Sequence, residues 1–174
     1  MKISSEWPRI IGLHSDLSGK IAAVWIAHDV TTDRIFLYDA VIFQRQVFAV
    51  IAERLQGKSK DIPIAWEQSA EEIMKKLKDR GCKPLLEGYK ETPALAEVIA
   101  REIWGLMESS KFQVGDHNKN WFDERERFWL NEEKVPLEGF PLMSATRHAI
   151  INLKKAKRLN PVRAKIEYSN AGII

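Results

Sequence analysis

Apolar residues come in short bursts over the first forty positions, then switch to a helical period. In "RIIGLHSDLSGKIAAVWIAHD", residues 9–29, the runs Ile10 to Leu13 and Ile21 to Ala27 flank a polar patch of His14, Ser15, Asp16, Ser18, Gly19 and Lys20. This reads as two strands of a hairpin, with a histidine where the first strand ends. In "TTDRIFLYDAV", Thr31, Thr32 and Asp33 supply turn chemistry and Arg34 to Val41 a third strand rich in β-branched and aromatic residues. Phe43, Val47, Val50, Ile51 and Leu55 then recur at helical spacing, so "FQRQVFAVIAERLQG" predicts an amphipathic helix closed by Gly57.

The remainder alternates strand and helix. "DIPIAWE" predicts a buried strand, and "SAEEIMKKLKDRG" a helix with a Ser69–Glu72 capping box at its start and Gly81 past its end. "KPLLE" predicts a short strand. Pro93 opens a helix through Leu95, Val98, Ile99, Ile103, Leu106 and Met107. "KFQVGD" is strand-like, and "NWFDERERFW" a polar and aromatic helix candidate. A last helix runs from Pro141 through "LMSATRHAIINLKKAK" to about Leu159. Three antiparallel strands followed by α-β-α-β predict a mixed α/β sheet with helices on both faces, the order of the ribonuclease H-like fold.

Composition narrows the function classes. At 174 residues the chain reads as one domain over 1–174, with a basic helix and tail over 142–174. Its net charge of +3 is too mild to name a partner. One cysteine, Cys82, excludes an internal disulfide and any multi-cysteine zinc site, which suits a reducing compartment. No apolar run reaches membrane-spanning or signal-peptide length, so the expectation is a cytoplasmic protein with no membrane partner.

Several motifs carry little chemistry. "AERLQGKS", residues 52–59, loosely matches a phosphate-binding loop, but it follows the end of a helix instead of a strand and contains a single glycine. No ATPase site is expected. The histidines His14, His28, His117 and His148 lack metal-ligand spacing and are read as surface or packing residues. "INLKKAKRLNPVRAK", residues 151–165, carries Lys154, Lys155, Lys157, Arg158, Arg163 and Lys165 and no acid. It is either a solvated helix end or a strip that contacts the phosphates of double-stranded DNA.

Three stretches together resemble the C-terminal nuclease domain of the large terminase subunit of tailed bacteriophages, the motor protein that packages and cuts viral DNA. "EWPRIIGLHSDLSGKIAAVWIAHDVTTDRIFLYDAV" is similar to that family's opening, an aromatic-Pro-Arg run into Gly-Leu-Asp, a polar loop and Ala-Val-Trp. "IPIAWEQS" resembles a Val-Pro-Val-Ala-Trp-Pro-His-Asp strand. "KFQVGDHNKNWFDERERFWLNEEKVPLEGFPLMSATRHAI" resembles a Phe-Lys-Val strand, a Trp-Phe-Glu-Glu segment and a closing Asp-Asp-Leu-Leu-Ser-Ala-Thr-Arg-Tyr-Ala helix. The resemblance spans nearly the whole chain. It implies the ribonuclease H-like fold, DNA as ligand and, as partners, a terminase ATPase or small subunit, the portal or the prohead, in a bacterial host cell.

The resemblance stops at the catalytic acids. Such nucleases hold Mg²⁺ or Mn²⁺ with carboxylates, because hard cations demand oxygen ligands. The family's acids fall here on His14, on Ser69, and on Phe140 and Pro141, with Ser144 where other branches place an Asp. The expectation is a degenerate site at His14, Ser69 and Pro141 with no metal or other cofactor. The alternative is an active Mg²⁺- or Mn²⁺-dependent endonuclease built on displaced acids, Asp16, Glu67 and Glu138, with Asp16 and Glu67 as metal ligands. Asp116, which follows the "KFQV" strand, is another acid near a strand end. His14 as a Zn²⁺ or Mn²⁺ ligand ranks below these. With no ATPase motif in the sequence, the expectation is either an excised domain of a longer protein or a stand-alone gene product, and the "MKISSEW" start leans toward the second, from a prophage remnant.

Overall fold

A computed structural model describes residues 3–16, 19–44, 47–57, 61–83, 85–129, 136 and 138–159. The strands β1 (Arg9–Ser15), β2 (Ile21–Asp29) and β3 (Arg34–Phe43) form the antiparallel meander, and α1 (Phe48–Gln56) follows. Then come β4 (Ile64–Ala65), α2 (Glu71–Asp79), α3 (Pro93–Glu108), β5 (Phe112–Val114), α4 (Lys119–Trp129) and α5 (Pro141–Ile151). The sheet order is β4-β1-β2-β3-β5, with β4 and β5 each joining an outer edge in parallel. The sheet is mixed because the meander can pair antiparallel through tight turns, whereas β4 and β5 each return through a helix.

Helices cover both faces, and strand alternation decides what each face buries. Ile11, Leu13, Ala23 and Trp25 pack with Ile51 and Leu55 of α1 and Met74 and Leu77 of α2. Ile10, Ala22, Val24 and Ile26 pack with Ile99 and Ile103 of α3, Trp121 and Phe128 of α4, and Leu142, Ala145 and Ala149 of α5. Side chains alternate along a strand, so Ile10, Gly12 and His14 share the face that carries α5. Helix α5 lies so close to β1 that a Cβ on Gly12 would stand 1.9 Å from the Ala145 carbonyl oxygen.

Capping explains how α5 is anchored. Phe140 at its N-cap contributes no side-chain hydrogen bond, and Pro141 at the first helical position has no N–H to satisfy. The next two N–H groups, of Leu142 and Met143, donate to Oε2 of the buried Glu124 on α4, at 2.8 and 3.2 Å. A carboxylate from another helix thus does the work of an N-cap residue.

Several boundaries differ from the sequence reading. Phe43 is the last residue of β3 instead of the first apolar position of α1, because β3 stays paired with β2 as far as Ile21, the first residue of β2. The Ser69–Glu72 capping box does not form. Ser69 sits in a 3-10 turn (Gln68–Ala70), donates its hydroxyl to the Glu67 carboxylate, and leaves Ala70 as the N-cap of α2. The described residues of "KPLLE" form no strand. Leu85 and Tyr89 make only isolated parallel bridges to Ile64 and Glu67. The last helix stops at Ile151 instead of Leu159, and Asn152 turns its amide back onto the His148 carbonyl. The chain then makes a 3-10 turn (Leu153–Lys155) and pairs Lys157 with Arg9 through two backbone hydrogen bonds of 2.8 and 3.0 Å.

Candidate functional site at the end of the first strand

His14 ends the α5 face of β1, two residues beyond Gly12. Because Gly12 admits α5 so closely, the side chain of His14 meets the helix, and its Nδ1 lies 3.3 Å from Nε2 of the fully buried His148. The other ring nitrogen of His148 shares a hydrogen bond with the Tyr89 hydroxyl, which also donates to Glu91 Oε1 at 3.3 Å. Glu91 in turn accepts from Arg147, Nε to Oε1 at 3.0 Å and Nη2 to Oε2 at 3.2 Å, a two-pronged ion pair with the guanidinium almost wholly buried. Arg147 Nη2 also donates to Ser144 Oγ at 3.1 Å, while its Nη1 is buried without a partner.

The electrostatics follow from burial. Desolvation holds His148 well below the ordinary histidine value, helped by His14 and the Arg147 guanidinium. Burial and Arg147 likewise lower His14, against the opposing pull of Glu91, Asp16 and Glu67. Both rings are therefore neutral at physiological pH. Burial and the neighbouring Glu91 push the Tyr89 phenol above its ordinary range, so it stays protonated.

The residues singled out from sequence are distributed unevenly around this corner. Asp16, at the end of β1, closes the hairpin turn by accepting the Lys20 N–H at 2.9 Å. Glu67 follows β4 and is bridged through its backbone to Tyr89. The charges of both reach His14. Ser69 is exposed beside Glu67. Pro141 starts α5, seven residues before His148 and so roughly 10 Å along the helix axis. Glu138 is exposed in the turn ahead of α5, and Asp116 is exposed after β5. Sequence reasoning did not single out Tyr89, Glu91 or Arg147, and it placed His148 among surface or packing residues. The "SATRHA" stretch held a signal: an Arg-His pair in a helix bounded by Leu142, Met143, Ala149 and Ile150 needs buried partners.

Lys154, Lys155, Lys157 and Arg158 are exposed, and they lie beside Arg9, at the opposite end of β1 from His14. Five residues of extended strand separate Arg9 from His14, about 17 Å. Arg163 and Lys165 lie outside the described residues, as do Lys58 and Ser59 of the phosphate-loop match. The described part of that match is the end of α1, closed by Gly57 at φ 45.

No family model and no curated protein matches the chain. Solved structures do. The nuclease domain of the P22 large terminase superposes with a TM-score of 0.79 at 16% identity, over 91% of this chain and 87% of that one. The chain has the fold of a phage large-terminase nuclease domain. The g2p large terminase nuclease domain of bacteriophage SPP1, solved with bound Mn, gives a TM-score of 0.61 at 19% identity, over 83% of this chain and 86% of that one. The ribonuclease H-like arrangement expected from the element order and from the terminase resemblance is thus the observed one.

The donor set at His14 does not suit the hard-metal chemistry expected of a terminase-type nuclease. Glu91 is committed to Arg147 and Tyr89, Glu67 takes the Ser69 hydroxyl, and His14 offers ring nitrogens. Among the described residues no three histidine, cysteine, aspartate or glutamate side chains gather as metal ligands. Mg²⁺ needs near-octahedral oxygen coordination, which this arrangement does not supply. Among the described residues no helix is long and apolar enough to cross a membrane.

Proposed function

We propose that this chain is a phage or prophage domain of terminase nuclease type, acting as one unit over 1–174, that no longer cleaves DNA. Its role is to bind double-stranded DNA or a packaging partner, such as a terminase ATPase, a small subunit, the portal or the prohead. One observation carries the reading. The corner at the end of β1 holds a His14–His148–Tyr89 chain and a buried Arg147–Glu91 pair in place of free carboxylates. A buried guanidinium opposes a pair of divalent cations, and neutral imidazoles are poor ligands for Mg²⁺. The DNA-binding part of the proposal rests on the exposed Lys154, Lys155, Lys157 and Arg158 and on Arg163 and Lys165 beyond them.

The test is plasmid nicking by the purified chain with Mg²⁺ or Mn²⁺. The expected result is no cleavage above a metal-free control. A second reading, an endonuclease with displaced acids, draws on the electrostatic reach of Asp16 and Glu67 to His14. Robust Mn²⁺-dependent cutting that disappears in Asp16→Ala or Glu67→Ala would establish that reading and overturn the first.

A further inference from the structure

The face of the sheet that carries α1 and α2 is opposite the one His14 shares with α5. On it a cleft of about 660 Å³ opens between α2 and the stretch holding Leu85, Leu86 and Glu87. Trp66, Met74, Leu85 and Leu86 make its lining largely apolar. A cleft of that volume takes a small ligand or a few side chains, not a folded surface. We propose that it docks a short extended segment of a partner protein, in which apolar residues stand between a basic and an acidic residue.

Charge along the cleft is polarised, and both walls agree. On α2, Glu71 stands in the first turn, and Lys75 and Lys78 follow toward the C-terminus. On the facing wall, Lys83 comes just after α2 ends, where the Cys82 N–H donates to the Leu77 carbonyl at 3.1 Å. Glu87 comes at the other end. The chain there runs beside β4, and the Tyr89 carbonyl accepts the Gln68 N–H at 2.9 Å, just ahead of α2. Acids in a first turn and bases in a last follow from the macrodipole alone. Lys83 and Glu87 lie outside the helix and repeat the same order, so the macrodipole does not account for it. All of these side chains are exposed, and none makes an ion pair among the described residues.

The length of the charged track selects the occupant. Glu71 and Lys78 lie about 10 Å apart along α2. An extended chain covers that span in about three residues, which fits a Lys-apolar-apolar-Glu pattern or its reverse. Exposed rim charges set partner and register more than affinity, and a small neutral ligand would leave them unmatched. The apolar lining is already fixed. Trp66 Nε1 donates to the Leu86 carbonyl at 2.6 Å, and its indole seats where a Cβ on Gly88 would stand 2.8 Å away. A wall held in this way loses little freedom on binding. The inference concerns a surface that the DNA-binding reading does not use, and it does not depend on that reading.

The test titrates the full chain into two labelled peptides with blocked ends, Gly-Lys-Leu-Phe-Glu-Gly and the reversed Gly-Glu-Phe-Leu-Lys-Gly, read by fluorescence anisotropy. At least one should bind. Replacing its Lys and Glu by Gln should weaken binding about tenfold, as should the double variant Lys83→Glu with Glu87→Lys, at under 1 kcal/mol for each exposed pair lost. Both exchanged residues are exposed and lie outside α2, so the variant is expected to fold, which circular dichroism checks. In the parent, the indole N–H resonance of Trp66, identified by its loss in Trp66→Phe, should shift as the peptide binds. Four results overturn the proposal: neither peptide binds, the Gln form binds equally, the charge exchange changes nothing, or the Trp66 signal stays still.

Discussion

Gly12 of β1 lies directly beneath Ala145 of α5, and a Cβ on Gly12 would also stand 2.9 Å from the Ala149 Cβ. The closest obstacle is backbone, at 1.9 Å, so neither side can yield by rotating a side chain. Gly12→Ala must lift α5 from the sheet. Overpacking of this kind costs roughly 1–3 kcal/mol and occasionally more. We expect a loss at or above the top of that range in urea denaturation. The same displacement should separate His14 from His148, which nuclear magnetic resonance of the ring protons would register. An Ala variant as stable as the parent would mean that α5 is not seated as described.

The histidine pair predicts an acid-sensitive fold. Both rings are held below the ordinary value of 6.5, chiefly by burial. As pH falls through 6.5, the unfolded chain takes up protons that the folded pair refuses. Stability contributed by the pair is therefore complete above 6.5 and declines below it, by about 1.4 kcal/mol per pH unit for each proton withheld. Urea midpoints measured from pH 7.5 down to pH 5 should fall in the parent and fall less steeply in His14→Ala. An equal slope in both would show that His14 is solvated and free to charge.

Glu124 acts in the opposite sense. Burial pushes its carboxyl from 4.5 up to about 7, against the two backbone N–H groups that favour the charged form. Between those values the folded chain holds a proton that the unfolded chain has lost, so this contribution falls as pH rises through the window. Glu124→Gln keeps an oxygen for the N–H groups of Leu142 and Met143 and cannot ionise. Its stability relative to the parent should rise between pH 4.5 and 7. Glu124→Ala leaves both donors buried and unpaired, at about 1–3 kcal/mol for each group. If Gln and Ala prove equally damaging, the carboxylate is not the cap of α5.

How far the fold was legible depends on whether its cause was local. The meander was readable because β-branched runs, turn residues and strand alternation all lie within neighbouring residues, and Pro93 and Pro141 marked helix starts for the same reason. The limits of α1 and α5 were not. Phe43 suits a helix period until β2 claims it, and "LKKAK" favours a helix until Lys157 pairs with Arg9. The site divided in the same way. The apolar run and the terminase resemblance pointed to His14, next to last in β1. Its partners Tyr89 and Glu91 come from a stretch with no periodicity, and His148 lies 134 residues away. The Ser69 cap failed because Glu67, two residues earlier, took the hydroxyl.

The basic segment offers the final prediction. Lys154, Lys155, Lys157 and Arg158 are exposed next to the start of β1, about 17 Å of strand from His14. DNA held there would engage a surface separate from the histidine corner. Each phosphate neutralised by a lysine or arginine contributes about −0.9 to the slope of log affinity against log salt. Binding should be weak, indifferent to sequence and steeply weakened by salt. Replacing the four residues with Ala should flatten the slope by up to about 3.6, whereas His14→Ala should leave it unchanged. Fluorescence anisotropy with a labelled duplex over a series of salt concentrations measures both. If the parent fails to bind at low salt, or the slope survives the fourfold replacement, the segment is a solvated chain end and the proposed role narrows to a protein partner.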